Sequence, residues 1–81
     1  MMEVEVFLFA SLRRYHPRGG RGSESFTLSV AAKTSLLDIY KIIGIPPEEI
    51  KMNYVNNRYQ QASYQVEDGD KIAIFPPVAG G

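Results

Sequence analysis

The stretch KTSLLDIYKIIGIPP, residues 33–47, decides the fold, because the spacing of apolar residues changes there from about two to about 3.6. Steps of about 100° per residue bring four apolar side chains into one stripe. They are Leu36, Ile39, Tyr40 and Ile43. Leu37 and Ile42 flank the stripe, and we expect them at the margins of the core. The stretch therefore predicts one amphipathic helix.

Both ends of this helix carry recognisable signals. Ser35 or Thr34 can cap its start, and Asp38 lies three residues after Ser35, in the capping-box position. Gly44 suits a left-handed residue after the last turn, and the prolines at 46 and 47 prevent continuation. The helix is predicted to span two to three turns.

Apolar residues alternate on both sides of the helix, as they do in strands that bury one face. Strands are predicted at Glu3–Phe9, at Phe26–Val30, on both flanks of MNYVNNRYQ (residues 52–60) and at Lys71–Phe75. Asn56-Asn57 and Asp68-Gly69 mark tight turns between them. The first two strands are expected to form a hairpin with a long connection, while the faces of MNYV stay unassigned.

Composition excludes several classes of function. The 81 residues include no cysteine, so disulfides, thiol nucleophiles and thiolate metal sites are excluded. Nine basic and nine acidic residues give no net charge, which argues against a nucleic-acid backbone as the main partner. His16 is the single histidine, so we expect no metal site, and RGGRG (residues 18–22) is expected to be a solvated loop. No apolar run reaches the ~20 residues of a membrane span, so a soluble, cytoplasmic protein is expected.

The ending IFPPVAGG, residues 74–81, calls for a functional explanation, because glycine loses the most conformational freedom on ordering. We expect the last six residues to thread into a partner: Pro76, Pro77, Val78, Ala79, Gly80 and Gly81. Extended, they reach ~20 Å. Ordering residues 78–81 costs ~4 to 8 kcal/mol. Burial of Val78 returns only ~1.5 to 3 kcal/mol, so we expect backbone hydrogen bonds from the partner and a docking surface on the folded body to make up the difference.

Aromatic residues are the candidates for that surface. Phe7 and Phe75 lie on the solvent side of the first and last predicted strands, which are expected to be neighbours. Phe9 and Tyr59 are further candidates. Exposed aromatic groups of this kind indicate a partner-facing apolar patch.

The order of the elements is that of the ubiquitin-like β-grasp fold, an α+β domain with a mixed sheet, one crossing helix and a flexible C-terminal tail. In addition, DGDKIAIFPPVAGG (residues 68–81) resembles the C-terminal signature of the MoaD/ThiS family of sulfur carriers. FLFASLR (residues 7–13) and Val55-Asn56 also fit the family, and Pro76-Pro77 is more similar to its MoaD-type members. The resemblance implies a β-grasp domain at residues 1–75 and an extended Gly-Gly tail at residues 76–81.

The resemblance also implies a chemistry. In the family, a ubiquitin-activating-like adenylyltransferase uses ATP to adenylate the terminal glycine, here Gly81. A sulfur donor protein then converts it to a thiocarboxylate. The sulfur passes to a pterin precursor in the large subunit of molybdopterin synthase, for molybdenum cofactor biosynthesis. The resemblance thus implies that the chain binds no cofactor itself and is not catalytic alone.

Other functions stay open at this point. The chain could serve another sulfur pathway, such as thiamin or cysteine synthesis, or act as a ubiquitin-like modifier. A non-covalent binding module with an incidental Gly-Gly is a further alternative. Two positions depart from the family pattern: the basic Arg13-Arg14 pair stands where relatives often carry an acidic second residue, and Asn57 stands where glycine is common.

Overall fold

The computed structural model describes residues 1–18 and 25–77, and within these ranges five strands form one mixed sheet. In chain order the elements are β1 (Met2–Leu8), a 3-10 helix (Ala10–Tyr15), β2 (Phe26–Val30), α1 (Leu36–Ile43), a 3-10 turn (Pro47–Glu49), β3 (Met52–Val55), β4 (Arg58–Gln60) and β5 (Lys71–Phe75). The order across the sheet is β2-β1-β5-β3-β4. β1 and β5 are parallel, and the other neighbours are antiparallel. The predicted fold is confirmed, with β5 in the middle of the sheet.

The core lies on the inner face of the sheet, to which α1 contributes its apolar stripe. Its members from β1, β5 and α1 are Val4, Val6, Leu8, Ile72, Ile74, Leu36, Ile39 and Tyr40. All of them are buried, which confirms the alternation predicted for β1 and β5. β1 begins and ends one residue earlier than predicted, so Phe9 follows the strand.

The helix ends follow the sequence signals. The Asp38 N–H donates to Ser35 Oγ at 3.2 Å, and the Ser35 N–H donates to Asp38 Oδ2 at 3.1 Å. These hydrogen bonds form the predicted capping box, and the bond from the Ser35 backbone is the main reason that the pKa of Asp38 is lowered. At the other end Gly44 is left-handed, with φ of 96°, and its N–H donates to the Tyr40 carbonyl at 2.7 Å.

One expectation for the helix is wrong. Leu37 and Ile42 are not at the margins of the core, because 36% and 56% of their surfaces are exposed. A two-turn helix against one sheet buries one stripe only, and both residues lie outside it.

Tight turns join the short strands as predicted. Asn56 and Asn57 have φ of 52° and 70°, the positive angles that a two-residue hairpin turn requires. Gly69 has φ of 87° in the turn before β5. The buried carboxylate of Asp70 holds these turns together, a role that was not predicted from the sequence. Its Oδ1 accepts from Asn56 Nδ2 at 2.9 Å, while its Oδ2 accepts from the Tyr64 hydroxyl at 3.1 Å and the Glu67 N–H at 2.8 Å.

The 3-10 helix after β1 was not predicted. It buries Leu12 completely, and it is joined to the Pro47–Glu49 turn by Arg14. Arg14 forms an ion pair with Glu49, which also accepts from the Tyr15 hydroxyl at 2.9 Å. Of the predicted RGGRG loop, residues 19–22 lie outside the described ranges. No helix within those ranges is both long and apolar enough to span a bilayer.

Candidate functional site

The tail leaves the domain from the middle of the sheet. Phe75 ends β5, and its carbonyl accepts the Lys51 N–H at 2.8 Å, which extends the pairing with β3 to the last residue of the strand. Pro76, half-buried, and Pro77, exposed, follow directly. The predicted threading residues Val78, Ala79, Gly80 and Gly81 lie outside the described ranges. The structure therefore defines the start of the tail and its surroundings.

Aromatic rings cover the outer face of the sheet beside this exit. Phe9 and Phe75 are stacked, with ring centroids 4.4 Å apart and planes 4° apart. Tyr54 meets Phe75 edge-on at 5.8 Å, and Tyr59 meets Tyr54 edge-on at 6.2 Å. We call these four residues, Phe9, Phe75, Tyr54 and Tyr59, the aromatic row. Edge-on and offset contacts of this kind are favourable for aromatic pairs.

The row includes three of the four predicted docking residues. Phe75 and Phe9 are half-buried, and Tyr59 is 58% exposed. Phe7 also lies on the outer face, half-buried, but it pairs in register with Ala73 and has no ring contact in the described part of the chain. Tyr54 was missed, because the faces of β3 could not be assigned from its sequence. Its pairing with Ala73 on β5 and Tyr59 on β4 places it on the outer face.

A shallow groove of 510 Å³ lies along the aromatic row. Its lining consists of Phe9, Met52, Tyr54, Asn57, Ala73 and Phe75. Ala73 is in the central strand, between Phe7 on β1 and Tyr54 on β3. A small side chain with larger neighbours on both sides leaves a depression at that point.

Charge is distributed unequally over the outer face. Within residues 1–18 and 25–77, the phenol of Tyr54 is the one ionisable side chain that lines the groove. The opposite end of the face has a second depression, whose lining includes Glu3, Glu5 and Asp68. Glu5 accepts from the Ser25 hydroxyl and pairs in register with Lys71. The end of the face next to the tail is thus apolar, and the far end is charged.

Solved structures similar to this chain share its fold. The complex of subunits 1 and 2 of molybdopterin-converting factor from Helicobacter pylori contains a chain that matches with a TM-score of 0.61 and 22% identity, covering 99% of this chain and 100% of that chain. Small archaeal modifier protein 1 from Haloferax volcanii gives a TM-score of 0.73 and 20% identity, covering 96% and 100%. The protein of the same name from Methanosarcina acetivorans gives 0.69 and 24%, covering 100% and 98%.

These likenesses confirm the ubiquitin-like β-grasp fold, in keeping with the resemblance seen in the sequence. Comparison with curated proteins finds no similar sequence. The model of the Mut7-C ubiquitin family matches residues 1–80, nearly the whole chain. The chain therefore belongs to the Mut7-C ubiquitin family, a family of ubiquitin-like domains.

Proposed function

We propose that the chain is a sulfur carrier that donates sulfur from a thiocarboxylate on Gly81 to a pterin precursor, as the small subunit of a molybdopterin synthase. The observation that carries the proposal is the sequence Pro-Pro-Val-Ala-Gly-Gly, which follows directly on the central strand of a ubiquitin-like domain. The fold that this chain shares with a chain of the molybdopterin-converting factor complex supports it.

The chemistry explains why the tail ends in two glycines. A terminal carboxylate has a pKa of about 3.5, so at neutral pH it is ionised and a poor electrophile. A ubiquitin-activating-like adenylyltransferase joins it to the α-phosphate of ATP and releases pyrophosphate. Sulfur at the sulfide level, supplied by a donor protein, then attacks the acyl carbon, and AMP leaves as the thiocarboxylate forms. Both steps take place in another protein's active site, which glycine enters with the least steric hindrance because it has no Cβ.

The start of the tail suits this use. Pro76 and Pro77 restrict the backbone, so less entropy is lost when the tail extends into a partner. Phe75 is held by the Lys51 N–H and by the ring of Phe9, which fixes the point from which the tail departs. Ordering residues 78–81 costs more than burial of Val78 returns, so backbone hydrogen bonds from the large subunit and its contacts with the aromatic row together supply the difference.

Intact-protein mass spectrometry tests the proposal. After incubation with ATP, the activating enzyme and a sulfur donor, we expect one oxygen of the chain to be replaced by sulfur. Deletion of Gly81 abolishes sulfur loading. Gly81→Ala slows sulfur loading, because an added Cβ must enter the active site of the activating enzyme. Ser29→Ala, on the outer face of β2 and away from the tail, is the matched control and loads normally. Sulfur loading of the Gly81 deletion at the wild-type rate would refute the proposal.

A protein modifier is the second candidate, because two of the similar structures are small archaeal modifier proteins. Activation of Gly81 is then the same, but a lysine amine replaces AMP and forms an isopeptide bond. Adducts that survive denaturing, reducing gels and that depend on Gly81 would favour the modifier. Their absence, together with sulfur transfer to the pterin precursor in a reconstituted synthase, favours the carrier.

A further inference from the structure

We infer that the groove beside the tail receives one uncharged apolar side chain of the large subunit, with Ala73 as its floor and Asn57 as its polar lip. This inference rests on the proposed function for the identity of the partner. Neither residue was among the docking residues expected from the sequence. Together they would decide which partners fit this face.

The occupant must come from the protein that takes up the tail. Phe75 lines the groove and is followed immediately by Pro76, so the groove and the tail exit share a residue. A protein that threads the tail into its active site therefore covers the groove as well. In the proposed function both the adenylyltransferase and the large subunit take up the tail, and we assign the occupant to the large subunit, where the tail delivers its sulfur.

The lining of the groove defines the chemistry of the occupant. The stacked rings of Phe9 and Phe75 form one wall, and Tyr54 stands edge-on to Phe75 beside them. Among the described residues, no carboxylate, ammonium or guanidinium group lines the groove, so a charged group placed there would lose its hydration without gaining an opposite charge from them. Aromatic rings and Met52 instead pack well against an aliphatic or methionine side chain.

Ala73 sets the depth of the groove. It occupies the central strand, with Phe7 and Tyr54 paired on either side, so its methyl group lies below the level of its neighbours. A larger residue at this position would fill the space from the sheet side while remaining on the outer face. Such a change blocks the partner's side chain without altering the inner core.

Asn57 adds a polar group at the edge. Its backbone has φ of 70°, and the residue is exposed and lines the groove. In this inference the amide of Asn57 hydrogen-bonds the partner's backbone next to the inserted side chain. Asn57→Gly removes this group while suiting the positive φ.

Calorimetric titration with the large subunit from the same genome tests the inference on the full chain. Ala73→Leu should weaken binding about ten-fold or more, because one extra methylene in an apolar pocket already lowers affinity by about that factor. Asn57→Gly should weaken it about three- to ten-fold through one lost hydrogen bond. Ser29→Leu adds the same side chain as Ala73→Leu at an exposed outer-face position of β2 and leaves affinity unchanged.

A spectroscopic measurement identifies the occupant directly. In a complex with the methyl-labelled large subunit, ring currents of Phe75 and Tyr54 should shift one methyl resonance upfield, and Ala73→Leu should abolish this shift. Wild-type affinity of a folded Ala73→Leu, or absence of the shifted methyl, overturns the inference. If Ala73→Leu does not fold, two measurements still test whether the groove receives the side chain: the methyl shift in the wild-type complex and the affinity of Asn57→Gly for the large subunit.

The proposed function and this inference fail in different ways. Sulfur loading of Gly81 is measured separately by mass spectrometry. If the wild-type chain loads sulfur and Ala73→Leu binds the large subunit with full affinity, the groove does not receive a side chain of that subunit, while the carrier function stands. A wild-type chain that never loads sulfur refutes the carrier function, and lack of any binding to the large subunit refutes the groove's assignment.

Discussion

Phe75→Ala separates the docking role of the aromatic row from a role in folding. Phe75 is half-buried and lies outside the core, whereas Ile74, its neighbour in β5, is fully buried on the inner face. Half of the burial of a phenylalanine is worth roughly 0.75 to 1.5 kcal/mol. The contacts with Phe9 and Tyr54 add roughly 0.5 to 1 kcal/mol, because both rings are partly solvated. The expected loss of folding stability is therefore about 2 kcal/mol.

Ile74→Ala is the matched variant for the core, and it should cost about 3 to 5 kcal/mol. Urea denaturation of both variants measures these losses. Calorimetric titration with the large subunit should show that Phe75→Ala weakens binding by about 2 kcal/mol or more, roughly 30-fold. The folded fraction of Ile74→Ala should bind with nearly wild-type affinity. If Phe75→Ala destabilises as much as Ile74→Ala and leaves affinity intact, Phe75 serves the fold and the docking role is refuted.

Three further predictions concern the domain itself. Asp70→Ala removes the acceptor of three hydrogen bonds from the turns, and should lower the free energy of unfolding by about 3 kcal/mol in urea titrations; a loss near zero would contradict its role. The pKa of Asp38 is lowered, so its capping contribution to stability is present above the unfolded pKa and is lost as pH falls through the folded pKa. Asp38→Asn should therefore lose less stability on acidification than the wild type. Identical pH profiles of stability for the two proteins would contradict this capping role. The Tyr40 hydroxyl is buried without a hydrogen-bond partner in the described ranges, although the Asn53 side chain is near enough to oppose the rise in the pKa of Tyr40 that burial causes. Tyr40→Phe removes this hydroxyl and should raise the free energy of unfolding by up to about 1 kcal/mol. A marked loss of stability would instead indicate that the hydroxyl is hydrogen-bonded.

The sequence was sufficient to predict the elements whose hydrogen bonds and backbone angles depend on residues close along the chain. The limits of α1 follow from Ser35, Asp38 and Gly44, whose hydrogen bonds and φ angles depend on residues within one turn. The turn at Asn56-Asn57 likewise follows from two residues that tolerate positive φ. In both cases the physical cause lies within the quoted stretch.

Contacts between distant residues explain what the sequence could not predict. The 3-10 helix at Ala10–Tyr15 has no helical period, and it depends on the burial of Leu12 and on the ion pair of Arg14 with Glu49, 35 residues away. The outward direction of Tyr54 depends on the register of β3 against β5. Ala73 has significance only because Phe7 and Tyr54 are its neighbours across the sheet. Contacts between segments far apart in the chain fix these features, and no single segment encodes them.

The position of β5 determines how the domain responds when its tail is pulled. The strand is hydrogen-bonded to β1 on one side and β3 on the other, and the tail continues from its end. Tension on the tail acts along the strand, so it must shear both rows of hydrogen bonds together. An edge strand such as β4, held on one side, would instead have a single row to break. A machine that unfolds the domain by pulling on this tail would therefore meet greater mechanical resistance than it would meet if the tail followed a strand at the edge of the sheet.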